Sequence, residues 1–296
     1  MDEIKDIDAE DIFSDFEHIG FQATNLGRAV KLIEKMKREK ATVFLTFTAN
    51  MVASGLRGIF ADMCRKRVVD IIITTGGSLD HDLIRAEKSY LLGDFDLDDG
   101  ELHRRGINRI GNILVPNDRY EFLEKRMQDI FEKMYNEKRV VSPSEIAKAI
   151  GKSVSDKGSF LYWCAKNDIP VFSPGITDSA IGLQVYFFKQ KRKDFGIDVT
   201  ADMQQLASIT LNAEKTGGII LGGGISKHHA IGVNILRGGM DYAVYITSAP
   251  EWDGSLSGAR TREGVSWGKI KESGNHITVS GDATIVFPLI YSRLKV

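Results

Sequence analysis

Gly218-Ile-Ile-Leu-Gly-Gly-Gly-Ile-Ser-Lys-His-His229 is the stretch on which the fold turns. A short apolar run, Gly218-Ile-Ile-Leu221, runs straight into Gly222-Gly-Gly224. In open parallel sheets, ligands bind beyond the carboxyl ends of strands, and glycine there lets backbone amides at helix N-termini approach a phosphate. The same order recurs along the chain. Ala41-Thr-Val-Phe-Leu-Thr-Phe47 precedes Thr48-Ala-Asn-Met51, and Val68-Val-Asp-Ile-Ile-Ile73 precedes Thr74-Thr-Gly-Gly77. Ile169-Pro-Val-Phe172 leads to Gly175-Ile-Thr-Asp178, Tyr242-Ala-Val-Tyr-Ile246 to Thr247-Ser-Ala249, and Ile277-Thr-Val279 to Gly281-Asp-Ala283. Helical periods lie between these runs, as in Leu26, Val30, Ile33 and Met36. Alternating strands and helices predict an α/β fold, a doubly wound, mostly parallel, Rossmann-like sheet with helices on both faces.

The rhythm breaks in the middle, where a helical insertion is expected. Asp94-Phe-Asp-Leu-Asp-Asp-Gly100 is polar, Arg119 to Lys138 reads as an exposed charged helix, and Ser142-Pro-Ser-Glu145 starts another. These helices are expected to decorate the sheet, leaving residues 21–296 as a single domain. Residues 1–20 read as an acidic amphipathic N-terminal extension, with Ile4, Ile7, Ile12, Phe13 and Phe16 set among carboxylates.

Composition narrows the function classes. The 296 residues are 43% hydrophobic and 27% charged with a net charge of -1, which excludes disorder and collagen and argues against a broad nucleic-acid surface. The two cysteines, Cys64 and Cys164, form no CxxC pair, so a disulfide framework or cysteine-rich zinc site is not expected. The N-terminus is acidic where a signal peptide is basic, and no apolar run approaches the ~20 residues that span a bilayer. A cytoplasmic protein with no membrane partner is the expectation.

Each motif alone is weak. Thr74-Thr-Gly-Gly77 does not fit G-x-G-x-x-G and no P-loop is present, so it is the recurrence of strand-end loops that points to a nucleotide. Lys227-His228-His229 is not expected to hold a metal, because adjacent helical residues point about 100° apart. A histidine just past Gly222-Gly-Gly224 does suit a general base at the mouth of a cleft. Gly264-Val-Ser-Trp-Gly268 fits G-x-S-x-G formally, but Gly258-Ala-Arg-Thr-Arg-Glu263 is a poor strand and His276 precedes Asp282, against the order a hydrolase needs. Lys269, between Trp267 and Ile270, reads either as a desolvated nucleophilic amine or as an ordinary surface lysine, and the residue pattern leaves both open.

Taken together, the segments resemble the deoxyhypusine synthase family from about Ala41 to Pro288. The resemblance rests on Thr48-Ala-Asn-Met-Val-Ala-Ser-Gly55, Gly106-Ile-Asn-Arg-Ile-Gly-Asn-Ile-Leu-Val-Pro116, Pro170-Val-Phe-Ser-Pro174, Leu221 to His229, Asp241 to Ile246 and Glu263-Gly-Val-Ser-Trp-Gly-Lys269. It implies a family-type fold and an NAD-dependent transfer of the aminobutyl group of spermidine to a lysine of the translation initiation factor 5A precursor. By the same resemblance Lys269 carries the imine and His228 helps deprotonate the amine. Trp267, Glu263, Asp80, His81, Gly254 and Ser255 are the implied substrate contacts. Ala49, Asn50, Thr75, Gly76, Gly77, Asp178, Gly223, Ser248, Ala249, Asp282 and Ala283 are the implied NAD contacts, and a cytoplasmic homotetramer is the implied assembly.

Three departures stand against this. Leu183, Leu256 and His81 occupy positions where better-known members carry polyamine-binding carboxylates, and a buried polyamine cation without its counter-charge loses several kcal/mol. Asp80 and Glu263 are the candidates to compensate. The residues 1–16 are candidates for covering a neighbouring subunit's entrance, as family members can do. Two alternatives follow: a homospermidine synthase-like enzyme transferring to a free diamine, and a non-catalytic NAD-binding regulator.

Overall fold

The computed structural model describes Ile4, Ile7 and residues 16–295. Most of the expected N-terminal extension lies outside the described residues; Ile4 and Ile7 are exposed. The chain divides into two compact units, Met1–Phe47 with Val68–Ile73 and Gln204–Val296, and Thr48–Arg67 with Thr74–Met203.

The first unit holds the parallel sheet. It contains α1 (Gln22–Arg38), β1 (Thr42–Thr46), β2 (Ile71–Ile73), β3 (Thr216–Leu221), α2 (Gly224–Val233), β4 (Met240–Thr247), α3 (Thr261–Ser266), β5 (Ile270–Ser280) and α4 (Ala283–Arg293). Helix α1 buries Leu26, Ala29, Ile33 and Met36 and ends in Lys35, Lys37 and Arg38, which suit the negative end of its dipole. The strands lie in the order β5-β4-β3-β1-β2, all parallel, with Phe44 opposite Ile71 and Gly218, and Val244 opposite Ile219 and Ile277. Helices cover the sheet, so strand runs are apolar throughout rather than alternating; Phe44, Ile72, Ile219 and Val244 are fully buried.

Side chains pin this register. Asp70 Oδ2 accepts from the Val43 amide at 2.8 Å, and Asp241 Oδ2 accepts from the Thr216 amide at 2.9 Å and from Arg237 at 2.8 Å. The chain leaves β1 for β2 on one side and returns as β3 on the other. The strand order therefore reverses between β1 and β3, and a crevice opens there at the carboxyl ends of doubly wound sheets. Gly222-Gly-Gly224 emerges at that point.

The second unit is mainly helical. Its charged helix is Asp118–Glu137, which buries Leu123, Met127, Ile130 and Phe131, and Ser142 and Glu145 form the expected capping box on Pro143–Ser153. The region expected to decorate the sheet falls within this unit. It also holds a three-stranded antiparallel sheet that the sequence reading did not anticipate, with Ile113–Pro116 between Leu91–Leu92 and Ile107–Ile110. Among the described residues, no helix is long and apolar enough to cross a membrane.

Candidate functional site

Two features mark the strand reversal in the first unit. Helix α2 begins at Gly223 without a side-chain cap, so its first amides are left for another acceptor. Gly223 is required by space: a Cβ there would lie 2.3 Å from Ser257 Cα. On the neighbouring strand, Thr46 Oγ1 is buried with no hydrogen-bond partner among the described residues.

The other implied cofactor positions of this unit sit at the ends of β4 and β5. Ser248 is exposed, and the Ala249 amide donates to Thr247 Oγ1 at 3.1 Å. Asp282 caps α4 by accepting from the Thr284 amide and hydroxyl, both at 2.7 Å, and Ala283 is buried behind it.

A small cavity lies beside α3, which carries the G-x-S-x-G segment. Gly264 to Ser266 are helical, so no strand–turn–helix elbow forms. Lys269, Trp267 and Glu263 line the cavity together with Lys227, Tyr245 and Leu256, and about 10 Å³ is free, room for about one water. The Lys269 ammonium stands 5.0 Å from the Trp267 ring centre, in cation–π range. Trp267 is 66% exposed and Lys269 is half-buried. Gly254 and Ser255 are exposed, with the Ser255 amide donating to Asp253 Oδ1 at 2.7 Å. His228 is exposed and is not part of the cavity wall.

The desolvated lysine of this site is one the sequence reading passed over. Lys227 is 1% exposed, donates to the Leu256 and Ala259 carbonyls at 2.7 Å each, and stands 4.3 Å from the Tyr245 ring centre. Burial pushes its pKa down to about 8. Its place between Gly224 and His228, in the first turn of α2, is the signal that the sequence offers. Tyr245 was missed too. Its hydroxyl is buried with no hydrogen-bond partner among the described residues, a cost of about 1–3 kcal/mol if nothing else satisfies it.

The second unit holds the remaining predicted residues. Asp80 is buried and accepts from the Ala180 and Ile181 amides at 2.9 Å each, so it caps the helix Ala180–Lys191. Burial still pushes its pKa up to about 7, against those two bonds. His81 is within hydrogen-bond distance of the Tyr90 hydroxyl at 2.7 Å, and burial pushes it down to about 4, so it is neutral at pH 7 and supplies no counter-charge. Thr75 starts the helix Gly76–Arg85 without a side-chain cap. Gly76 and Gly77 pack tightly, since a Cβ would lie 2.5 Å from Ser179 and 2.9 Å from Ala49, respectively. Asn50 Oδ1 accepts from Thr48 Oγ1 at 2.6 Å, while Asp178 and Leu183 are exposed.

Comparison with known proteins agrees in kind. The sequence model of the deoxyhypusine synthase family matches residues 11–294. A relative from Pyrococcus abyssi, described as a "probable deoxyhypusine synthase", is 44% identical across 98% of this chain and 91% of its own. One of the same description from Thermoplasma volcanium is 44% identical across 94% of this chain and 91% of its own. Among solved structures, a candidate deoxyhypusine synthase from Entamoeba histolytica has a TM-score of 0.70 at 24% identity, covering 97% of this chain and 93% of that one, a likeness of fold.

Proposed function

This chain belongs to the deoxyhypusine synthase family, and from that premise we propose that it carries the 4-aminobutyl group of spermidine to a lysine of the translation initiation factor 5A precursor. Lys269 is the nucleophile. Its neutral Nζ adds to the carbon of the substrate iminium and the bond from that carbon to the diaminopropane nitrogen breaks. The proton lost from Nζ departs on diaminopropane, leaving an iminium on Lys269. The acceptor lysine displaces Lys269 in the same way. Trp267 lies against the cation and Glu263 supplies opposite charge, both of which favour iminium over neutral amine.

NAD is the proposed cofactor, and when bound it supplies hydride acceptance at the amine and hydride return to the product. The amides at the start of α2, which no side chain caps, fit an anionic group at the strand reversal. Ser248, Ala249, Asp282 and Ala283 are its further contacts in the first unit. Ala49, Asn50, Thr75, Gly76, Gly77 and Asp178 are assigned to NAD by the family resemblance alone. His228, exposed one residue from Lys227, is assigned the amine proton.

The observation that carries the reading is the grouping of Lys269, Trp267 and Glu263 on one cavity wall. Incubation with NAD and labelled spermidine, followed by borohydride, is expected to fix label on wild type and not on Lys269→Arg. Adding either the factor 5A precursor or putrescine then identifies the acceptor. Label passing only to the diamine makes the enzyme homospermidine synthase-like. No adduct under any condition favours a non-catalytic NAD-binding regulator.

A further inference from the structure

Arg28, Lys31, Lys35 and Arg38 follow one another at intervals of three, four and three residues, so they form one stripe along α1. In the first unit this stripe lines a groove of about 1100 Å³, with Arg260, Arg262 and the strand β5 lining the rest. Against these six cations the groove sets two carboxylates, Glu34 and Glu251. Glu251 is shared, at 3.5 Å from Arg260 and 3.0 Å from Arg262. Glu34 is the one acidic residue of α1, and it accepts from the Lys295 amide at 3.3 Å. Neither Arg28 nor Arg38 has an ion-pair partner among the described residues. Like charges three and four apart on a helix repel, so the stripe weakens α1 unless an anion lies along it.

The chain carries a matching anion. Residues 1–15 hold seven carboxylates and one lysine, with Ile4, Ile7, Ile12 and Phe13 among them. They join the described residues at Phe16, against α1 itself. A Cβ at Gly27 would stand 2.5 Å from the Glu17 nitrogen, and the Thr24 hydroxyl donates to the Ile19 carbonyl. The Glu17 carboxylate pairs with Lys31 at 2.5 Å, so the first acidic residue after this segment already sits on the stripe. Fifteen extended residues reach roughly 50 Å, whereas Arg28 to Arg38 spans about 15 Å of helix. Leu32 and Ile277 give the groove an apolar lining between its charges. Small-molecule pockets are mostly apolar, and a groove lined mainly by charged and polar side chains suits a peptide better.

We propose that residues 1–15 lie along this groove in their own chain, setting carboxylates against Arg28, Lys35, Arg38, Arg260 and Arg262 and apolar side chains against Leu32 and Ile277. The groove is then an intramolecular site for an acidic peptide, and it holds whatever the cavity at Lys269 takes.

Cleavage after Glu10 of the full chain by a glutamyl endopeptidase, followed by intact mass, reads the docking against a free peptide of residues 1–18. Wild type is expected to be cut about tenfold more slowly than the peptide, as a few surface ion pairs acting together would give. High salt should remove most of that protection. Arg28→Glu with Arg38→Glu should abolish it while the thermal midpoint moves little. Adding Asp8→Lys and Asp11→Lys to that variant should bring it back, measured against a peptide of the same sequence. If charge reversal lowers the midpoint, Arg28→Gln with Arg38→Gln carries the same comparison.

A wild type cut as fast as the peptide overturns the proposal, and so does equal protection in wild type and the groove variants. A charge swap that restores nothing in a folded chain overturns it as well. Co-expression of the groove-reversed chain with an Asp8→Lys, Asp11→Lys chain tests whose groove is filled. Docking within one chain leaves both unprotected. Protection regained by the unaltered segment would place it on a second copy and overturn the assignment to its own chain.

Discussion

Lys227 holds its ammonium 4.3 Å from the centre of the Tyr245 ring while tying the Leu256 and Ala259 carbonyls to α2. A buried amine with a pKa pushed down to about 8 makes folding release a proton wherever the unfolded lysine still holds one. A depressed folded value means stability present above the unfolded pKa of about 10.5 and lost as pH falls through about 8. Wild type should therefore gain on the order of 3 kcal/mol between pH 8 and 10.5 relative to Lys227→Met. Urea unfolding of both proteins at pH 7.5 and 10 checks the sign. Faster amide exchange in residues 256–259 of the variant would report the lost tie at neutral pH.

The sheet was legible because its strands are buried on both faces and end in glycine or small polar residues, as Gly218 to Gly224 does. Lys269, Trp267 and Glu263 were legible through the family resemblance, and one short helix and the turn after it carry all three. Lys227 and Tyr245 were not, because their burial depends on a loop about thirty residues from one and a helix about twenty from the other. The antiparallel sheet left a faint trace. Gly111-Asn112 between two apolar runs is a two-residue hairpin signal, with Gly111 at φ 60°, but the runs are too short and half-exposed to assert a period. Asp80 read as a spare counter-charge because sequence cannot show that the amides of residues 180 and 181 claim it.

Asp82 anchors the second unit through contacts from two other segments. Its carboxylate accepts from Arg57 Nε at 2.6 Å, Ser159 Oγ at 2.5 Å and the Leu161 amide at 3.1 Å, and it has no exposed surface. Asparagine keeps the shape but loses the charge opposite a buried guanidinium and turns one acceptor into a donor. Asp82→Asn is expected to cost about 3–5 kcal/mol, the range for breaking one side of a buried pair. Exposed pairs such as Lys148 with Asp168 should move stability by less than about 1 kcal/mol when removed. Parallel urea titrations of the two variants test that contrast.

His81 gives the second unit an acid-sensitive point. Burial pushes its pKa down to about 4, with Arg85 adding to the effect, and Tyr90 is its ring partner. A depressed value again places the stabilisation above the unfolded pKa, here about 6.5, to be lost as pH falls towards 4. Asp80 works the other way, since its raised value favours the folded state at low pH. The comparison must therefore be with a His81→Gln variant that leaves Asp80 in place. Wild type should lose on the order of 3 kcal/mol relative to that variant between pH 6.5 and 4. Parallel pH dependence in the two proteins would show that the imidazole is not the group responsible.

Cys64 and Cys164 bring their sulfurs to 3.5 Å in the second unit, yet both are buried free thiols. Thiol reactivity needs the thiolate and access to the reagent, and burial together with the neighbouring sulfur pushes Cys164 well above the ordinary value. Proximity alone would favour oxidation to a disulfide, whereas the missing thiolate and the closed packing oppose it. The second effect should win in the folded protein. Native protein treated with an aromatic disulfide reagent at pH 8 is expected to label neither cysteine within minutes, and both at once in denaturant. Fast native labelling of one thiol, or a mass lower by two hydrogens after mild oxidation, would mean that the segments around residues 64 and 164 open readily.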